Sequence, residues 1–270
     1  MIAAATATST HALSAAGVDV AIGSKSIVEG ADVQLELGKL VAIVGPNGAG
    51  KSTLVRAIAG IQPMTAGTVE WSGRPVADFR GRELGLIRAF VPQRALVPPG
   101  LTVREAVTIG RSVHVKPWQR LGPEGRAAVE AAIERAGVER FTDRLLTTLS
   151  GGEMQRVQIA IALAQEAPVL IADEPTSALD LGATVAVAKL LRGLADDGLG
   201  VLLVVHDLSL AAAVADEVIV MSDGRTVASG PPLEAINDQR LREVWGVDAS
   251  LEVLSEDHTA LKVSWLGDGE

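Results

Sequence analysis

The stretch "GPNGAGKST", Gly45 to Thr53, spaces three glycines, a lysine and two hydroxyls as a phosphate-binding loop requires. Gly45, Gly48 and Gly50 let the backbone curl so that successive N–H groups face an anion, with Pro46, Asn47 and Ala49 completing the loop. Lys51 would neutralise the β- and γ-phosphates, Ser52 would ligate Mg²⁺, and Thr53 would hold the inner phosphates. Further on, "VLIADEP" ends an apolar run in two acids that point different ways, Asp173 towards a cation and Glu174 towards a water in line with the γ-phosphate. Gln93 in "VPQ" and His206 in "VVHD" each close an apolar run and so can reach the same edge. Ser150, Gly151 and Gly152 in "LSGGEMQRV" open a helix and form a second anion-binding turn. One chain thus carries two phosphate-binding turns.

These groups need elements to hold them. Leu40 to Val44 reads as a strand running into the glycine loop, and a helix starts near Lys51, the order a true phosphate loop demands. "GTVEWSG" and "IRAFVPQ" read as short strands, "VLIAD" and "GVLLVV" as strands buried on both faces. "VREAVTIGR", "EGRAAVEAAIERAG", "EMQRVQIAIALAQ" and "VAVAKLLRGLAD" carry helical spacing, with the Pro/Gly-broken loop "PWQRLGPEG" between the first two. Strands alternating with helices predict an α/β fold with a mostly parallel sheet. The helix-rich segment of about 95–165 predicts an inserted helical subdomain, and the alternation from Ser250 a small hairpin.

Composition narrows the class. At 270 residues, 48% hydrophobic and 21% charged, the chain can bury a large core, and a net charge of -9 argues against a nucleic-acid backbone as partner. It has no cysteine, which removes disulfides, zinc-thiolate sites and thiol nucleophiles and allows a reducing compartment such as the cytoplasm. No apolar run reaches the roughly 18 to 20 residues of a membrane span. The small, apolar start lacks a basic region, so residues 1–14 read as a flexible tail, 15–248 as the main domain and 249–270 as a short extension.

The ordered set "GPNGAGKST", "VPQ", "LSGGEMQRV", "VLIADEP", "SALD" and "VVHD" resembles the nucleotide-binding subunit of ATP-binding-cassette transporters, over about Leu13 to Gly246. The resemblance implies a RecA-like P-loop NTPase core with an inserted helical subdomain and an antiparallel β part. It implies ATP and Mg²⁺ as ligands, Glu174 as general base, Gln93 as a sensor of Mg²⁺ and the attacking water, and His206 as a contact of the γ-phosphate. Metal ligation then falls to Ser52, Gln93 and Asp173. It also implies a head-to-tail homodimer in which Ser150, Gly151 and Gly152 close on ATP held by the other copy and Asp180 crosses the seam. Ile22 stands where the family usually stacks an aromatic residue on adenine, which predicts weaker ATP affinity and poor base selectivity.

The run from "VPQRALVPPGLTVREAVTIGR" to "PWQRLGPEG" is similar to the branch serving importers of iron chelates, haem and cobalamin, with ferric siderophore favoured as cargo. That branch implies membrane permease subunits received in a groove beside Arg94 to Leu101, an external substrate-binding protein, and a peripheral position on the cytoplasmic face. A soluble, non-transport cassette ATPase often carries long coiled coils between phosphate loop and signature, and this short interval has no sustained heptads. A metabolite kinase would lack "LSGGE".

Overall fold

A computed structural model describes residues 11–94, 98–116, 118–255 and 258–263. Two sheets meet in it. The first is antiparallel, in the order β2-β1-β4-β5, from β1 (Leu13–Ile22), β2 (Lys25–Leu35), β4 (Ala66–Trp71) and β5 (Arg74–Pro75). The second has six strands in the order β10-β9-β3-β8-β7-β6. It is built from β3 (Leu40–Val44), β6 (Arg88–Val91), β7 (Val169–Asp173), β8 (Gly200–Val204), β9 (Glu217–Ser222) and β10 (Arg225–Gly230). Every pairing in it is parallel except that of β9 with β10.

The apolar runs form strands here because both faces are covered. Leu40, Ala42 and Val44 enter one core cluster, while Val41 and Ile43 enter another. β8 divides the same way, Val201 and Leu203 to the first, Leu202 and Val204 to the second. The second cluster joins the sheet to α1 (Lys51–Ile58) and the antiparallel sheet, where buried Trp71 donates its indole N–H to Ile58 O at 3.2 Å. The first lies under α3 (Val103–Gly110), α4 (Pro123–Ala136), α5 (Gly151–Leu163) and α6 (Leu181–Asp196). Thr102 starts α3 with a reciprocal cap, its hydroxyl accepting from Glu105 N and its N–H donating to the Glu105 carboxylate at 2.8 Å. Apolar residues of this helical segment share one contiguous cluster with β3, β7 and β8.

Short α2 (Gly81–Ile87) precedes β6, and α7 (Leu208–Val214) follows β8. The tail from Ser250 does form a hairpin, β11 (Ala249–Ser255) with β12 (His258–Val263). Leu251, Leu261 and Val263 pack it on the first cluster, and Leu261 N donates to Ser209 Oγ at 3.3 Å. The tail boundary expected at residue 14 moves back. Leu13 is fully buried and pairs with Leu35 and Trp71, so β1 begins inside the segment assigned to the tail. Residues 1–10 of that expected tail, and residues 264–270 of the extension, lie outside the described residues.

Candidate functional site

The phosphate loop leaves β3 at Gly45, whose φ of 152° turns the chain beneath β9. A Cβ there would lie 2.1 Å from Met221 O, so no larger residue fits. Gly50, at φ 93°, is also pressed, a Cβ there lying 2.7 Å from Ile27 O, and it caps α1 with no side chain in the way. The first N–H groups of α1 therefore face the loop without an intrachain cap, the arrangement that takes an anion. Lys51 is the first residue of that helix and only 4% exposed. Its ammonium donates to Gly45 O at 2.8 Å and Pro46 O at 2.9 Å. Burial pushes its pKa down, and the charges of Glu174 and Asp173 push it back up.

At the second residue of α1, Ser52 Oγ donates to Asp173 Oδ1 at 2.7 Å. Asp173 ends β7 with no exposed side-chain surface, and its other oxygen is met by the Arg56 guanidinium at 3.3 Å. Glu174 follows at φ 51°, a left-handed conformation that costs about 1 kcal/mol or more for such a residue and is kept where neighbours enforce it. The enforcement is visible: Glu174 N donates to Val204 O on β8, and Glu174 O accepts from Ser177 N. The left-handed turn swings the carboxylate away from Asp173. It lands between the Gln93 amide, which donates to Oε2, and His206 Nε2, 2.5 Å from Oε1.

β6, β7 and β8 are adjacent, which is why residues 93, 174 and 206 converge at one end of the sheet. Here a cleft of about 330 Å³ is lined by Ile22, Lys25, Ile27, Asn47, Gly48, Gly50 to Thr53, Glu174 and His206. Ile22 is 55% exposed at its mouth, where β1 turns into β2.

Ser150, Gly151, Gly152 and Asp180 are elsewhere. They line a separate recess of about 470 Å³ with Arg140 and Arg156. Ser150 caps α5 reciprocally, its oxygen accepting from Glu153 N and its N–H donating to the Glu153 carboxylate at 2.9 Å. That hydrogen bond, helped by Arg144, holds the Glu153 carboxyl below the ordinary range of a glutamate. The Ser150 hydroxyl also hydrogen-bonds the Glu153 carboxylate, so the groups this turn can offer an incoming anion are the first backbone N–H groups of α5, those of Gly151 and Gly152. Asp180 caps α6 through Ala183 N at 2.8 Å. No residue is shared between the two recesses.

The sequence reading did not find Arg56, Lys25 or Ile27. Arg56 could have been found, since it lies four residues after Ser52 on one face of a helix. Lys25 and Ile27 could not, because only the fold of β2 over Gly50 brings them in. Ala95, Leu96 and Val97 within the expected permease-facing stretch Arg94 to Leu101, and Pro117 in the "PWQRLGPEG" loop, lie outside the described residues.

Residues 28–177, more than half of the chain, match the family described as "ABC transporter". The chain is 43% identical to the hemin import ATP-binding protein HmuV of Streptomyces coelicolor, covering 91% of this chain and 86% of that protein. It is 34% identical to the iron(3+)-hydroxamate import ATP-binding protein FhuC of Bacillus subtilis, covering 92% of each. Among solved structures, the dimeric bacterial ABC transporter cassette MJ0796 matches with a TM-score of 0.72 and 29% identity, over 82% of this chain and 98% of that one.

Proposed function

The chain belongs to the ABC transporter family and is an ATPase, and from that premise we propose that it energises import of an iron-bearing chelate, working as a head-to-tail pair on the cytoplasmic face of the membrane. The carrying observation is the Glu174 carboxylate, set by a left-handed turn between Gln93 and His206 at the rim of the phosphate-loop cleft.

In this reading Gly45, Gly48, Gly50 and Thr53 offer backbone N–H groups to the phosphates, with Pro46, Asn47 and Ala49 shaping the loop and the Lys51 ammonium moving from loop carbonyls to the β- and γ-phosphates. Ser52, Asp173 and the free oxygen of the Gln93 amide would hold Mg²⁺, a set of hard oxygen donors that suits that ion. When bound, the ion neutralises charge building on the phosphates. A water attacks the γ-phosphorus, the bond to the bridging oxygen breaks, and Glu174 takes the proton of the water. His206 keeps the carboxylate aimed and meets the γ-phosphate. Ser150, Gly151 and Gly152 of the second copy complete the phosphate shell, and Asp180 lines the seam, so loss of the γ-phosphate releases the pair.

The permease would be received beside Arg94 to Leu101, and an external binding protein would deliver cargo. Among the described residues no helix is long and apolar enough to cross a membrane. Ferric siderophore is the cargo favoured by the run from Leu101 to Leu121. Haem is the second reading, favoured by the higher identity to the hemin import relative, 43% against 34%.

Uptake of labelled ferric siderophore, haem and cobalamin in a strain lacking the gene, restored with native chain or Glu174→Gln, tests both levels. One iron chelate should be taken up with native chain only. Uptake restored equally by Glu174→Gln would overturn the role of hydrolysis, and uptake of cobalamin alone would overturn the iron assignment.

A further inference from the structure

A carboxylate with no exposed surface needs a countercharge, and Asp173 has one that the phosphate chemistry above does not use. Its Oδ1 accepts from Ser52 and its Oδ2 faces Arg56 at 3.3 Å. Lys51, which feels the charge of Asp173, turns two of its three donors to Gly45 O and Pro46 O, and Glu174 is engaged by Gln93 and His206. Arg56 is thus the one cation hydrogen-bonded to Asp173 among the described residues. The two partners differ in their surroundings: Asp173 is wholly buried, whereas the Arg56 side chain is 42% exposed. Stripping a buried carboxylate of its partner is strongly unfavourable, but a guanidinium already half in water loses little by swinging further out.

We propose that Arg56 is a stand-in cation, a positioning residue that pairs with the buried Asp173 carboxylate and holds it aimed until Mg²⁺ arrives with the nucleotide, and then yields its place. This rests on the reading of Asp173 as a metal ligand. Two effects of opposite sign follow. Without nucleotide Arg56 stabilises the fold, because it pairs a charge that would otherwise be buried alone. With nucleotide it weakens the hold on the ion, because the ion must displace it. A purely structural ion pair would produce the first effect and not the second.

The purified chain carrying Arg56→Gln is melted with neither ligand, and then with a non-hydrolysable ATP analogue across a magnesium series. The ligand-free melting temperature should fall by several degrees, the deficit should shrink at saturating magnesium, and the magnesium midpoint should drop several-fold. Arg56→Lys retains the charge and is expected to fold and to keep a midpoint within about twofold of native, so it serves as the readout if the glutamine variant does not fold. An equal deficit with and without magnesium, an unchanged midpoint for Arg56→Gln, or a lysine variant whose midpoint drops several-fold would each overturn the proposal. Asp173→Asn separates the two levels: if it leaves the magnesium midpoint unchanged, the metal-ligand reading itself fails, and the stand-in role with it.

Discussion

The two phosphate-binding turns are finished to different degrees. At the phosphate loop three charged groups already have partners in their own chain: Lys51 on two carbonyls, Asp173 on Ser52 and Arg56, Glu174 on Gln93 and His206. The Ser150 turn uses its side chain only to cap its own helix, and its glycine N–H groups open into a recess that holds no catalytic carboxylate. On the proposed reading one is the floor of the site and the other a lid detached from it. Within the floor the Glu174 carboxylate is the preorganised part, and a group aimed in advance needs no rearrangement in the transition state.

The comparison can be broken at several strengths. Glu174→Gln should lower ATP turnover by about 10²- to 10⁴-fold, the range of a lost general base, while nucleotide binding persists; retained turnover would place the base elsewhere. Mixed dimers test the lid directly. Lys51→Ala in one copy and Ser150→Arg in the other should leave one composite site working and roughly half the activity, and both changes in one copy should leave none. The reverse pattern would put loop and lid in the same chain. Ile22→Tyr adds a stacking face at the mouth of the cleft, worth about 1 to 3 kcal/mol per base, so the KM for ATP should fall severalfold or more. Equal ATP and GTP affinities before and after would show that Ile22 does not touch the base.

The smallest effect is a pH effect at the lid. The folded pKa of Glu153 is depressed by the Ser150 N–H, so its stabilisation is present above the ordinary glutamate value of about 4.3 and is lost as pH falls through the lower folded value. Melting curves below about pH 4 should therefore be steeper in pH for native chain than for Glu153→Gln.

Much of this was legible in the residues, for identifiable reasons. β3, β7 and β8 lie buried on both faces, so their apolar runs stand out, and the phosphate loop has a spacing that few other purposes need. β1 was missed at its start because Leu13 is followed by Ser and Ala, small residues that pack against β2 and β4 without an apolar signature. Strand order was also hidden. Gln93 and His206 flank Glu174 because β6 and β8 pair on either side of β7, and nothing local in "VPQ" or "VVHD" records that adjacency. Arg56 takes its role from Asp173, which reaches it from β7, far away in the chain, so nothing beside Arg56 in the sequence records the pair.

The left-handed turn at Glu174 has a mechanical side. A side chain tied to the ends of two neighbouring strands works as a strain gauge, because a shear of either strand stretches one tie and slackens the other. The segment beyond Gln93 leads directly into the stretch beside which a permease would sit. A push there of about 1 Å, transmitted along β6, would detune the carboxylate by an amount that can change a reaction rate a hundredfold. On the proposed reading, a permease seated there would set the clock of hydrolysis through a single hydrogen bond.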